Sequence, residues 1–187
     1  MFTRMISMVF ISYLAFVPYV MASDAADDKE AIAAFMKSPV AKNFHSKAYG
    51  YAVFPTIGKG GFGIGGAHGE GRVYRGNSTI GNVTMSQVSF GFQVGGQAYR
   101  QVIYFQNKAA FYKFTSGEFE FGAQAEAIAL EYSAGASAGT EGTSASANEK
   151  QAEGTNWANG MVVFTMGKGG LMYQAALGGQ KYSYEPK

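Results

Sequence analysis

The fold is decided by the stretch "TIGKGGFGIGGAHGEG", Thr56–Gly71, in which eight of the last fourteen residues are glycine. Read with the two-residue period of a strand, every odd-numbered position from Gly61 to Gly71 is glycine or alanine, whereas Phe62 and His68 lie on the opposite face. A strand with one bare face lets another element pack against it very closely. This pattern predicts a strongly bent sheet, a narrow barrel interior or a helix across the sheet, with Ser38–Tyr49 as the candidate helix.

The neighbouring sequence predicts helices before this stretch and strands after it. Residues 24–49 read as two helices: Asp27 caps the first, Ser38 with Pro39 starts the second, and Gly50 closes it. Alternating segments read as strands, with hairpin turns at Asn107-Lys108 and Ser116-Gly117. The strand segments are "QVSFGFQVG", "AYRQVIYF", "NKAAFYKF", "FEFGAQAEA", "GMVVFTM" and "GLMYQAALGGQKYSY". We predict an α+β fold: a β-dominated antiparallel sheet of about eight to ten strands, barrel- or sandwich-like, with the N-terminal helices packed on it.

The composition indicates one globular domain without catalytic machinery. The 187 residues are 47% hydrophobic and 15% charged, and 26 of them are glycine. The absence of cysteine excludes disulfides and thiol catalysis, and the two histidines, His45 and His68, fall short of the three or four ligands that a metal site usually takes. We therefore predict no enzyme activity, cofactor, metal or nucleic-acid partner.

Residues 1–22 have the pattern of an export signal. Arg4 precedes the uncharged run "MISMVFISYLAFVPYVMAS", and Val20-Met21-Ala22 offers the small residues that a signal peptidase reads. We predict cleavage after Ala22, a single domain over residues 23–187 and a periplasmic or secreted protein at the membrane periphery. The alternative is an uncleaved membrane anchor, because the apolar run is nearly long enough to span a bilayer.

Two glycine motifs match enzyme signatures but lack their structural context. The segment from Gly58 to Gly63 spells Gly-x-Gly-x-x-Gly, yet the sequence after it predicts a strand instead of the helix whose N-terminus holds a dinucleotide phosphate. The segment from Gly135 to Gly139 spells Gly-x-Ser-x-Gly, but both histidines precede its serine and the surrounding sequence is of low complexity. Neither motif predicts nucleotide binding or hydrolysis.

The motif Gly-Lys-Gly-Gly occurs twice, each time after an apolar run that contains Val-Phe, and it contributes Lys59 and Lys168. We predict a glycine-rich turn at each copy. A lysine beside the free backbone N–H groups of such a turn can hold a phosphate. The alternative reading is a turn in which the lysine only keeps the protein soluble. The two copies would lie close together only if the first and last strands of the sheet are neighbours.

Positive charge is concentrated in one part of the chain. Lys37 to Lys113 holds nine basic residues and one acid, a net charge of +8, and Phe114 to Glu153 has a net charge of −6. Such a division can create a basic face for an anionic partner, unless the fold interleaves the two parts. A second tier of candidate contacts for such a partner, after Lys59 and Lys168, comprises Lys42, Lys47, Arg72 and Arg75.

The segment "YAVFPTIGKGGFGIGGAHGEGRVY", with "SFGFQVGGQ", "FEFGAQAEA" and "VVFTMGKGGL", resembles the SYLF domain family over about Ala31 to Tyr184. The resemblance implies a module that binds anionic phospholipid or phosphoinositide-like head groups, and in eukaryotes an association with actin-patch proteins. From this resemblance we take only Lys59 and Lys168 as candidate lipid contacts. The alternatives are a protein-interaction or scaffold module with a partner in the cell envelope, and a small outer-membrane β-barrel.

Overall fold

The computed structural model of the chain describes residues 25–91, 97–121, 128–131, 157–168 and 179–187. The predicted signal segment 1–22 and Gly169-Gly170 of the second motif lie outside these residues. No helix of the described residues is long and apolar enough to cross a membrane. The elements in chain order are α1 Ala25–Phe35, α2 Pro39–Lys47, β1 Gly50–Arg75, β2 Ser78–Gly91, β3 Gln97–Phe105, α3 Lys108–Phe114, β4 Glu118–Glu120, β5 Ile128–Glu131, β6 Met161–Gly167 and β7 Gln180–Pro186.

The strands form one sheet in the order β4-β7-β2-β1-β3-β6-β5, curved into a half-barrel. All pairs are antiparallel except β5 with β6, which is parallel. The predicted α+β class with a β-dominated sheet and N-terminal helices is confirmed. The described residues contain seven strands, slightly fewer than the predicted eight to ten.

The bare face of the glycine-rich strand packs closely against the first half of the same strand. The first half of β1 pairs with β3 and its second half pairs with β2. A side-chain carbon on Gly71 would lie 2.2 Å from the Val53 main-chain oxygen, and one on Gly69 would lie 2.6 Å from Cγ1 of Ile57. The predicted close approach is therefore present. However, the element that approaches is the first half of the same strand, and the prediction of the Ser38–Tyr49 helix in this place was wrong.

A β-bulge interrupts the first half of β1 between Phe54 and Ile57, where the register with β3 shifts. The bulge contains Pro55, which has no N–H to donate to a ladder, and a proline within a sheet is confined to edges and bulges. Thr56 is the second bulge residue, and it is exposed although the core residues Phe54 and Ile57 flank the bulge. Bulges turn a side chain away from the regular alternation. Here the bulge presents the hydroxyl of Thr56 at the surface.

The two faces of the sheet bury separate clusters. The inner face encloses the main core, which contains three phenylalanines from beyond the long strands, namely Phe111, Phe114 and Phe119. On the outer face, α1 and α2 pack over β3 and β6, where Phe35 and Phe44 share one buried cluster with Tyr104. The other inner-face residues include Ala52, Phe54, Ile57, Val73, Val83, Met85, Tyr99, Ile103, Phe105, Met161, Val163 and Tyr182. The other outer-face residues include Val40, Ala41, Val102, Val162, Phe164 and Met166.

The start of α2 follows the predicted chemistry. Ser38 is the N-cap and accepts a hydrogen bond from the Ala41 amide at 3.3 Å, and Pro39 is the first helical residue. Two other helix boundaries were predicted wrongly. Asp27 lies inside α1, and Gly50 is already the first residue of β1, because Ala48 caps α2.

The segment "NKAAFYKF" is helix α3, and its prediction as a strand after a hairpin turn was wrong. Asn107 is the N-cap, and its side chain accepts a hydrogen bond from the Ala110 amide at 3.0 Å. Phe111 and Phe114 lie three residues apart on one helix face, and both are buried in the core. Ser116-Gly117 joins α3 to β4 and therefore does not connect two strands.

His45 on α2 provides a prediction for pH. Its ring packs against the rings of Tyr51 and Tyr104, with centroids at 5.1 and 5.5 Å, and burial lowers its pKa below 6.5. The unfolded chain then binds a proton more readily than the folded chain, so the contribution of His45 to stability is complete above about pH 6.5 and is lost as the pH falls towards the lowered pKa. We expect the melting temperature of His45→Gln to fall less than that of the wild type between about pH 7.5 and pH 5.5. An equal fall in both proteins would contradict this.

Candidate functional site

Lys168 reaches across the sheet to the bulge of β1. Its main-chain amide donates a hydrogen bond to the Ala98 carbonyl at 2.8 Å, which fixes it beside β3 at the end of β6. Its Nζ donates to Oγ1 of Thr56 at 2.5 Å. The ammonium and the hydroxyl are therefore held together at the surface, at the point where Pro55 breaks the ladder. This pair can offer two polar donors to one oxyanion.

Arg100 joins this pair on the outer face of the sheet. It pairs directly with Met166 across β3 and β6, so Lys168 is its diagonal neighbour, and such neighbours lie about 7–8 Å apart. The Arg100 guanidinium donates through NH2 to Oε1 of Glu30 on α1. Its Nε is buried and has no hydrogen-bond partner among the described residues. We name Thr56, Arg100 and Lys168 the basic cluster.

Lys59 lies at the same end of the sheet but on the other face. It pairs with Gln97, and by strand alternation it shares the face of Ile57, a residue of the inner core. The prediction of a turn at Lys59 was wrong, because the residue lies inside β1. Lys168 does lie in a turn, directly after β6.

The two Gly-Lys-Gly-Gly copies lie close together although the first and last strands, β1 and β7, are not neighbours in the sheet. The last strand, β7, pairs with β2, and only β3 separates β1 from β6. Gly58 pairs with Ala98, which accepts the hydrogen bond of the Lys168 amide, so about two strand spacings, roughly 10 Å, separate the two copies. Lys59 and Lys168 thus place positive charge on both faces of one sheet end.

Arg72 has a structural contact that its sequence context does not reveal. It forms an ion pair with the carboxylate of Asp28 on α1, whose side chain is 3% exposed, and Tyr74 OH donates to the same oxygen at 2.5 Å. Tyr51 stacks on Tyr74 with centroids at 5.0 Å, and burial, followed by the proximity of Tyr74 and Asp28, raises the pKa of Tyr51 to about 12. The contacts of Asp28 with Arg72 and Tyr74 fasten α1 to the second half of β1.

The remaining predicted basic residues are exposed at the surface. Lys42 and Lys47 are exposed on α2, and Arg75 is exposed as the last residue of β1, beside the turn into β2. Their roles in lipid binding stay predictions.

An exposed apolar residue, Val88, lies on β2 and pairs with Gly66 in the second half of β1, and 67% of its surface is accessible.

Sequence reasoning missed Arg100 and Thr56. Arg100 is the only charged residue in the segment "AYRQVIYF", and an isolated charge on one face of an otherwise apolar strand indicates a partner there. Pro55 inside a strand pattern was the available sign of the bulge that exposes Thr56. The Lys168–Thr56 contact joins residues 112 positions apart, and no local pattern predicts it.

Comparison with known proteins gives two matches. A family model described as "Ysc84: Las17-binding protein actin regulator" matches residues 86–185, which include Arg100 and Lys168. Beta cell expansion factor A of Aeromonas veronii is 29% identical over 158 residues, which make up 83% of this chain and 53% of that protein. The chain spans about half the length of this curated relative.

Proposed function

Because this chain belongs to the Ysc84 family of SYLF domains, as the resemblance predicted, we propose that it is a lipid-binding module without catalytic activity. It attaches to anionic phospholipid head groups through the sheet end that carries Lys59 and the basic cluster. The observation that carries this proposal is the Lys168–Thr56 contact at 2.5 Å with Arg100 as its diagonal neighbour. We place the module in the cell envelope, since residues 1–22 have the pattern of an export signal.

The chemistry of the cluster suits a phosphate. An ammonium, a hydroxyl and a guanidinium offer donors to several oxygens of one group, and hydrogen bonds to ionised partners are roughly twice as strong as neutral ones. Each basic residue near an anionic bilayer surface adds about 1 kcal/mol of attraction. The three basic residues at this sheet end, Lys59, Arg100 and Lys168, therefore supply reversible binding to the bilayer surface without insertion of the fold.

The test is co-sedimentation with vesicles of phosphatidylcholine, with and without phosphatidylglycerol. For Lys59→Glu combined with Lys168→Glu we expect a loss of at least about 2 kcal/mol, roughly 30-fold in affinity, because two attractive charges are removed and reversed. Added salt should weaken the binding of the wild type as well.

The matched control is Lys42→Glu with Lys47→Glu, which changes the net charge equally on α2. We expect a smaller loss for this pair. Equal losses would assign binding to net charge, and wild-type protein that binds neutral and anionic vesicles alike would overturn the proposal.

A second candidate function is binding of a protein partner, which the description of the matching family as a Las17-binding actin regulator favours. The same sheet end would then contact an acidic protein surface in the envelope. Capture of one stoichiometric partner by the wild type, lost in the Lys59→Glu and Lys168→Glu variant and accompanied by no preference for anionic vesicles, would favour this function.

A further inference from the structure

Helix α1 places two carboxylates on two arginines of the sheet. Asp28 pairs with Arg72, and Glu30 pairs with Arg100. The two arginine side chains are similarly shielded, at 17% and 19% exposed, but the carboxylates differ: the Asp28 side chain is 3% exposed, whereas that of Glu30 is 69% exposed. The first pair therefore fastens the helix, whereas the Glu30 carboxylate is free to leave the Arg100 guanidinium for solvent and so uncover it.

The Arg100 guanidinium is only partly used by Glu30. One NH2 group donates to Glu30, while Nε is buried and has no hydrogen-bond partner among the described residues. A planar guanidinium can bind an oxyanion through two parallel N–H groups, and Arg100 thus retains a donor for a second oxygen. The neighbouring donors flank Arg100: Lys168 lies two residues beyond Met166 on β6, and Thr56 lies on β1, the strand on the other side of β3.

We propose that Glu30 is a built-in competitor of the anionic ligand at the basic cluster. Its carboxylate occupies the Arg100 guanidinium in the free protein, and a lipid phosphate displaces it when Lys168 and Thr56 engage the same head group. This inference rests on the proposed function and adds the regulation of that site. The exposed Glu30 side chain swings into solvent, while the Asp28 pair keeps α1 docked.

Displacing Glu30 from Arg100 costs little free energy because the Glu30 carboxylate is exposed to solvent. Exposed ion pairs contribute between about 0.2 and 1 kcal/mol, so a phosphate that contacts three donors outcompetes a single carboxylate. The same range sets the effect of removing Glu30. Glu30→Gln should raise the affinity for anionic vesicles by between about 1.5-fold and 5-fold.

The experiment titrates the full chain with vesicles of phosphatidylcholine and phosphatidylglycerol and compares Glu30→Gln with Asp27→Asn. Asp27 is exposed on the same helix, three residues away, and the substitution makes the same change in net charge. We expect Asp27→Asn to leave the affinity within the error of the wild type. Equal gains in affinity for both variants would overturn the inference, because they would show that the loss of any negative charge on α1 has this effect.

The closing control is Arg100→Gln, alone and combined with Glu30→Gln. If Glu30 acts through Arg100, its removal has no effect once Arg100 is gone, and the double-mutant cycle shows a coupling. A persistent gain without Arg100 would contradict the proposed contact. Wild-type protein that binds anionic vesicles while Glu30→Gln adds nothing refutes the competitor alone, whereas wild-type protein without anionic preference refutes the proposed function and the competitor together.

Discussion

Gly71→Ala is expected to lower the free energy of unfolding by about 3 kcal/mol, the upper end of the usual cost of overpacking. The added methyl group would lie 2.2 Å from the Val53 main-chain oxygen and 2.8 Å from Cδ1 of Phe54. Both contacts are shorter than any that a real side-chain carbon makes, and the oxygen belongs to a strand fixed by its ladder with β3. The two halves of β1 would have to separate, which opens the core.

The control for this prediction lies in the same strand. A side-chain carbon on Gly58 would meet nothing within 4 Å. Gly58→Ala should therefore be neutral or raise stability by up to about 1 kcal/mol, since alanine restricts the unfolded chain more than glycine does. Urea denaturation of both variants measures the difference. Equal costs would show that the glycines serve strand flexibility instead of close packing.

Asp28→Asn is expected to cost about 3 kcal/mol of stability, the lower end of the range for breaking a buried ion pair. The substitution keeps the volume of the side chain but leaves Arg72, whose side chain is 17% exposed, without the carboxylate that neutralises it. Tyr74 loses the ionised acceptor of its hydroxyl at the same time. We expect α1 to detach more readily, which amide hydrogen exchange of Ala31 and Phe35 would report.

Asp27→Asn provides the matched comparison for this second prediction, because Asp27 is the preceding residue and is exposed. Its cost should lie within about 0.5 kcal/mol of zero, as for most surface substitutions. Arg72→Gln in the Asp28→Asn background should recover part of the loss, because the uncompensated charge is then removed. Comparable costs for Asp27→Asn and Asp28→Asn would contradict the structural role of the buried pair.

The sequence predicted the parts of the fold that depend on local periodicity. The alternating segments that became β3 and β6, the end of β2 from Gln87 onward and the cap at Ser38 were identified because side-chain direction and capping act within a few residues. Helix α3 was missed because seven residues are too few to separate a helical period from an alternating one. An asparagine at an N-cap was the stronger signal there.

The candidate site was predicted only in part, since its geometry depends on long-range pairing. The repeated motif pointed to Lys59 and Lys168, but their distance from each other depends on β3 lying between β1 and β6. Arg72 looked like a free basic residue because its partner, Asp28, is 44 positions away. Charge counts along a chain do not show which charges the fold neutralises.

The long strand β1 also determines how the domain unfolds. The first half of β1 forms the ladder with β3 and its second half forms the ladder with β2, so β1 is the strand that joins the two walls of the described half-barrel. A fragment that begins at β2 would keep six of the seven described strands and still lack the partner that both walls share. The sheet should therefore exchange its amide hydrogens as one cooperative unit, in which β1 is the last strand to open.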